Sequence, residues 1–275
     1  MTMNLWALVG LRIGALSLER VAFHGLGRKA DVLAATVVAY GGAAFWLWLF
    51  ALMRGQAHWV GEGFWAGGIY AASFFLYTAA LAKGPVSVVS SFANVTVVFL
   101  FVAQPRWDAG TLAGLGVFLA GAAFLVSWDV PLSSSVGWMI ASGFLLALGR
   151  LIDLRQAGLF SVSYAASLFT SVVVWLAVPM TLRRGWRRVL DLGRQRTAWS
   201  VLASAANAVA YLTVLALLPV LKPHLVEAVS SWAAVAATVI SVLFMGERGA
   251  SRKIAGAALM TLGTTALLLF SRRPN

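Results

Sequence analysis

The chain contains no cysteine and little acid: nine Asp and Glu stand against 21 Lys and Arg, with three His. Without cysteine there is no disulfide, no thiolate nucleophile and no thiolate-held metal. The histidines, His24, His58 and His224, fall in separate segments, so neither a metal site nor any cofactor is expected. Charge of either sign is scarce, 11% of residues against roughly 25% in soluble domains. The first residues lack the charged start, short apolar run and small-residue cleavage site of a secretory signal, so no processing is expected. What fills the chain instead is apolar: 61% of its 275 residues are hydrophobic and the mean hydropathy is +0.86. This composition reads as all-α, a polytopic membrane protein.

A bilayer crossing takes about 20 predominantly apolar residues, and ten stretches read as spans, the first the weakest because Arg12, Glu19 and Arg20 interrupt or end it. They cover about 5–20, 32–53, 64–81, 85–103, 110–128, 136–152, 162–182, 198–218, 223–245 and 254–270. The net charge of +12 collects mostly at their ends, where cations anchor to headgroups and set orientation. No basic stripe alternates with exposed aromatics in a soluble segment, so no nucleic-acid partner is expected. Membrane lipids and a small-molecule or lipid-linked substrate are, with the chain acting as monomer or homodimer. Residues 183–196 read as a loop with six Arg and one acid, Asp191.

Polar residues inside the spans are expensive and mark candidate sites. Glu227 lies one turn inside the ninth span and is the main candidate for carrying a proton or pairing with a cationic group. Arg12 and Glu19 are seven residues apart on the first span, two turns, and so share a face; Glu19 is a second candidate for proton coupling. Arg12 or Arg150 could balance Glu227 or hold a substrate anion. Ser91 and Asn94 continue a polar line that starts at Ser87, while Ser204, Asn207 and Tyr211 share a face of the eighth span. Ser231, Trp232 and Tyr77 complete the set of candidate substrate contacts. Each has a bland alternative: Ser and Asn bond across helix interfaces, aromatics pack, and Glu227 can pair structurally with an Arg or sit near the interface. No His–Asp–Ser set, metal cluster or paired intramembrane acid points to catalysis, and an enzyme is not expected.

The chain looks duplicated. Ser90 to Ala93 and Ser230 to Ala233 both read Ser-Ser-aromatic-Ala; Arg54-Gly55 and Arg184-Gly185 follow corresponding spans; the break at Asp129-Val130-Pro131 separates 1–130 from 131–275. Five spans per half force the second copy to enter from the opposite side, which gives inverted repeats. Together with Ala79-Ala80-Leu81-Ala82-Lys83-Gly84-Pro85 before the fourth span and the Gly246-Glu247-Arg248 turn, this order resembles the drug/metabolite transporter superfamily, EamA type, over nearly the whole chain.

The resemblance implies ten transmembrane helices as two inverted five-helix repeats in a bacterial-type cytoplasmic membrane. It implies secondary active transport by alternating access. The substrate would be a small polar or amphiphilic metabolite such as an amino acid, amine or drug-like cation, taken between spans one, three, four, six, eight and nine. It also permits a flippase for a lipid-linked headgroup, with the arginine-rich loop as phosphate patch. Glu247 reads as a helix-end contact rather than a substrate ligand. Orientation is divided: a cytoplasmic arginine-rich loop puts both termini of a ten-span chain outside, whereas the resemblance implies both inside.

Overall fold

The computed structural model describes residues 4–103, 108–125, 134–155, 162–217, 223–247 and 249–270, and every regular element among them is helical. In order these are α1 (Leu5–Gly27), α2 (Val32–Met53), α3 (Gly63–Lys83), α4 (Val86–Phe92), α5 (Val95–Ala103) and α6 (Ala109–Leu125). They continue with α7 (Ser134–Arg155), α8 (Val162–Leu182), α9 (Trp186–Gln195), α10 (Thr197–Leu217), α11 (Pro223–Met245) and α12 (Ala250–Phe270). Among the described residues, eight spans are long and apolar enough to cross a membrane: α2, α3, α4 with α5, α7, α8, α10, α11 and α12. The protein is an integral, polytopic helical membrane protein. Of the remaining helices, α6 is apolar but 17 residues long, and α1 has 23 residues and carries Arg12, Glu19 and Arg20. The Asp129-Val130-Pro131 break lies outside the described residues.

Three elements differ from the sequence expectation. The first helix does not stop at Arg20 but runs to Gly27. Its acid and bases are buried against other helices instead of ending in water, so they do not terminate it. Its free carbonyl end is closed by Arg196, whose Nη1 donates to Gly25 O (2.8 Å) and Leu26 O (3.0 Å), the partners a helix C-terminus otherwise lacks. Span four is two short helices, not one. Ser91 Oγ bonds back to Ser87 O (3.0 Å), and the Asn94 N–H donates to Ser91 O (3.2 Å) in a tightened turn at Ala93–Asn94, the local competition that makes Ser and Asn poor mid-helix residues. The loop 183–196 holds a ten-residue amphipathic helix, α9. It buries Leu192 and leaves Trp186, Leu190 and its arginines exposed.

Most of the major contacts join helices far apart in sequence. α1 lies along α10 and α11; α3 along α7 and α8; α2 along α8 and α10; α11 crosses α4 and α12. α6 and α12 pack backbone to backbone. A Cβ at Gly114 would sit 2.8 Å from Leu267 N, and one at Gly256 would be 3.1 Å from Gly121 O, so small residues are what allow the approach. Two contacts define opposite faces of the bundle. Asp31, before α2, meets Arg188 of α9, whereas Ser163 at the start of α8 donates to Gln56 O beyond the end of α2.

Asp31 carries two jobs. Oδ1 caps α2 through Leu33 N (3.0 Å) and Ala34 N (3.1 Å), and Oδ2 accepts from Arg188 Nη1 (2.7 Å). Partial burial pushes its carboxyl up, but Arg188 and the two N–H donors outweigh that and hold it below its usual value. A lowered acid stabilises the fold above the unfolded-state value and ceases to do so as pH falls through the folded one. Thermal unfolding in detergent should therefore be flat above about pH 5 with respect to this group and drop below about pH 4. Asp31→Ala should cost about 1 kcal/mol from the cap and abolish that acid-side step.

Candidate functional site

The charges of α1 are the starting point, because a guanidinium facing lipid is untenable. Arg12, Glu19 and Arg20 are 5%, 6% and 6% exposed, and all three turn into a cavity of about 140 Å³ at the centre of the bundle. Each is matched there by groups from elements distant in sequence. Arg12 donates through Nε to Ser230 Oγ (2.9 Å) and through Nη1 to Ala210 O. Arg20 Nη1 donates to Ser90 O at 3.1 Å. The break at Ala93–Asn94 makes that carbonyl available, since the Asn94 N–H that a continuous helix would aim at Ser90 O goes to Ser91 O instead. The Tyr77 hydroxyl lies beside both Glu19 and Arg20.

Opposite α1, Arg150 Nη2 of α7 stands 3.5 Å from Glu227 Oε1 of α11. This is the one direct ion pair among the described residues lining the cavity. The bland alternative of an Arg partner for Glu227 is thus realised geometrically, within the cavity wall. Asn94, in the turn between α4 and α5, reaches Thr261 Oγ1 (3.3 Å) and Ser231 O (3.5 Å), so the break is also tied to α11 and α12. Ser73 and Ser142 exchange reciprocal bonds to each other's carbonyls, both 2.9 Å, joining α3 to α7.

The remaining wall is aromatic. Tyr40 and Phe74 stack with centroids 4.2 Å apart and planes 4° apart, and Phe169 meets Tyr211 edge-on at 4.9 Å. Asn207 lies beside the Tyr40 hydroxyl.

Of the residues singled out from sequence, Arg12, Glu19, Tyr77, Asn94, Arg150, Asn207, Tyr211, Glu227 and Ser231 line this cavity. Ser91 and Trp232 do not. Ser91 is fully buried and bonded to its own helix, because the turn it supports needs that bond. Trp232 is 39% exposed on the outer surface of α11, since its neighbour Ser231 takes the inward position. Sequence reasoning passed over Tyr40, Phe169, Ser73 and Ser142, which bring the second and seventh spans into the wall. Tyr40 offered one signal: a lone tyrosine eight residues past the start of an apolar span. Glu247 lies away from the cavity, where it accepts from Lys253 Nζ (2.8 Å) and from the Ser87 hydroxyl. Burial raises its carboxyl, but Lys253 and Ser87 outweigh this and hold it below its usual value. Among the described residues no group of three or more His, Asp or Glu converges as a metal site would.

No family model matches the chain, and no curated protein matches it. A solved structure titled only "Crystal structure of protein" superposes with a TM-score of 0.64 at 17% identity, covering 96% of this chain and 96% of that one. At that identity the likeness is one of fold.

The geometry separates structural from superficial residues. Arg20→Leu leaves Ser90 O and Glu19 without their cation and should destabilise by about 3–5 kcal/mol. Trp232→Leu should change stability by less than about 1 kcal/mol. Thermal unfolding of both variants in the same detergent checks the contrast.

Proposed function

We propose that the chain is a secondary transporter of the EamA-like drug/metabolite type, moving a small polar or amphiphilic metabolite across a bacterial-type cytoplasmic membrane by alternating access. Counting α1 and α6 as crossings gives ten spans in two repeats, 1–130 and 131–275, of opposite topology. The repeats rock about a central site that opens to one face at a time. One observation carries this reading: five ionisable side chains and a broken helix meet between the two halves, deep in an apolar bundle. Membrane transporters build polar solute sites in this way.

The packing supports the repeat. Exchanging α1 with α7, α2 with α8, α3 with α10, α4 and α5 with α11, and α6 with α12 turns each main cross-half contact into another that is present. α1 on α10 becomes α7 on α3, α2 on α10 becomes α8 on α3, and α1 on α11 becomes α7 on α4 and α5. The pairs α2–α8, α6–α12 and α4–α11 map onto themselves. The cavity volume favours a solute over a lipid-linked headgroup, being close to the ~150 Å³ that accepts a benzene ring.

Glu227 is the proposed proton carrier. It faces Arg150 directly, with Arg12, Glu19 and Arg20 of α1 and Tyr40, Tyr77 and Tyr211 around the same cavity. Proton binding dissolves its contact with Arg150 and so changes the charge that faces the solute. In proteoliposomes, uptake from a panel of amino acids, amines and aromatic acids should follow an imposed pH gradient in the wild type and lose that dependence in Glu227→Gln. Unchanged uptake with an unchanged pH profile removes Glu227 from the coupling step. Single cysteines, in a chain with none of its own, test the ten-span topology: positions Arg28 and Arg187 should label from one side and Gln56 and Glu62 from the other.

A further inference from the structure

Among the described residues, the charges around the cavity do not balance. These include three guanidinium groups, Arg12, Arg20 and Arg150, and two carboxylates, Glu19 and Glu227. Guanidinium does not deprotonate in proteins, so these five side chains carry an excess of one positive charge even with both acids ionised. Glu227 is engaged by Arg150 at 3.5 Å, and Glu19 lies beside Arg20 and the Tyr77 hydroxyl. Arg12 lies within interaction range of all four other charges, yet its hydrogen bonds go to the neutral groups Ala210 O and Ser230 Oγ. It is the cation without an acid of its own, and its Nη2 remains beyond those two bonds. Acceptors are short elsewhere too, since Arg20 Nε is buried with no hydrogen-bond partner.

An uncompensated charge in a low-dielectric site is costly. A bound anion removes that cost and supplies the missing acceptors; a bound cation adds to it. The walls define the rest of the ligand. Tyr40, Phe74, Phe169 and Tyr211 offer flat apolar faces, and the ~140 Å³ of space matches a single ring.

We infer that the solute is a small organic monoanion, one acid group on a ring-sized apolar body, with the acid held at Arg12 and the body among the aromatics. This rests on reading the cavity as the solute site, and it narrows the sequence expectation by excluding cationic amines. It also fits the proposed coupling: neutralising Glu227 removes a negative charge from the wall that faces the anion.

Sodium benzoate, benzylamine and phenylalanine serve as probes of equal ring size carrying an anion, a cation and a zwitterion. Calorimetric titration of the full chain in nanodiscs should find benzoate the tightest of the three. Arg12→Gln should weaken benzoate by roughly thirtyfold or more. Because Arg12 also ties α10 to α11, the decisive variant is Glu227→Gln, which raises the excess charge and should tighten benzoate several-fold, a gain that misfolding cannot produce. Tighter binding of benzylamine or phenylalanine, weaker benzoate binding in Glu227→Gln, or no binding of any probe overturns the inference. Benzoate binding without benzoate uptake in proteoliposomes sinks the transport reading and leaves the anion site standing. Uptake of benzylamine with no benzoate binding does the reverse.

Discussion

A charged side chain inside a bilayer has to find its partner within the protein, and the bundle is arranged around that requirement. α1 brings two arginines and a glutamate into an apolar interior with no water shell to hold them. Their partners come from α3, α4, α10 and α11. The contacts that satisfy the charges are therefore the contacts that gather these helices around one centre. A chain with the same apolar pattern but no charges on α1 would have no reason to converge on that centre, because lipid and leucine are alike to a helix.

The break in the fourth span belongs to the same logic. A carbonyl inside an uninterrupted helix already accepts one bond from its own helix, whereas a break leaves one without that partner. The turn at Ala93–Asn94 releases Ser90 O to Arg20 and sends the Asn94 amide toward α11 and α12. Irregular backbone at this depth is stable only where it lines a cavity or is covered by protein, and here it does both. In the proposed mechanism that junction is also where two short helical pieces can tilt independently, something a continuous span of the same length would resist.

The outer parts of the molecule obey weaker constraints. The glycines of α6 and α12 let two backbones meet. Arg188 and Arg196 fasten α9 and the start of α10 to the first half at the opposite end of the chain's fold, through Asp31 and the last carbonyls of α1. These ties lie at one face of the bundle, away from the cavity, and hold the halves together without entering it.

Sequence alone determined the class and much of the site's membership. Composition and span length gave a helical membrane protein, since only closed backbone hydrogen bonding survives in hydrocarbon. The rarity of charge within spans pointed to Arg12, Glu19, Arg150 and Glu227, because each is too expensive to be incidental. The tertiary structure alone decided which of these meet. Local periodicity places a residue on a face of its own helix, but not which helix that face will touch. Thus Trp232 turned outward while Ser231 turned inward, Tyr40 and Phe169 entered a wall from spans that read as plain packing, and Arg20 became a buried ligand of Ser90 instead of a helix end. The imbalance of charge at the centre was likewise invisible along the chain, where +12 is spread over 275 residues. It appears only when five of those residues, from three helices, are brought around one small volume.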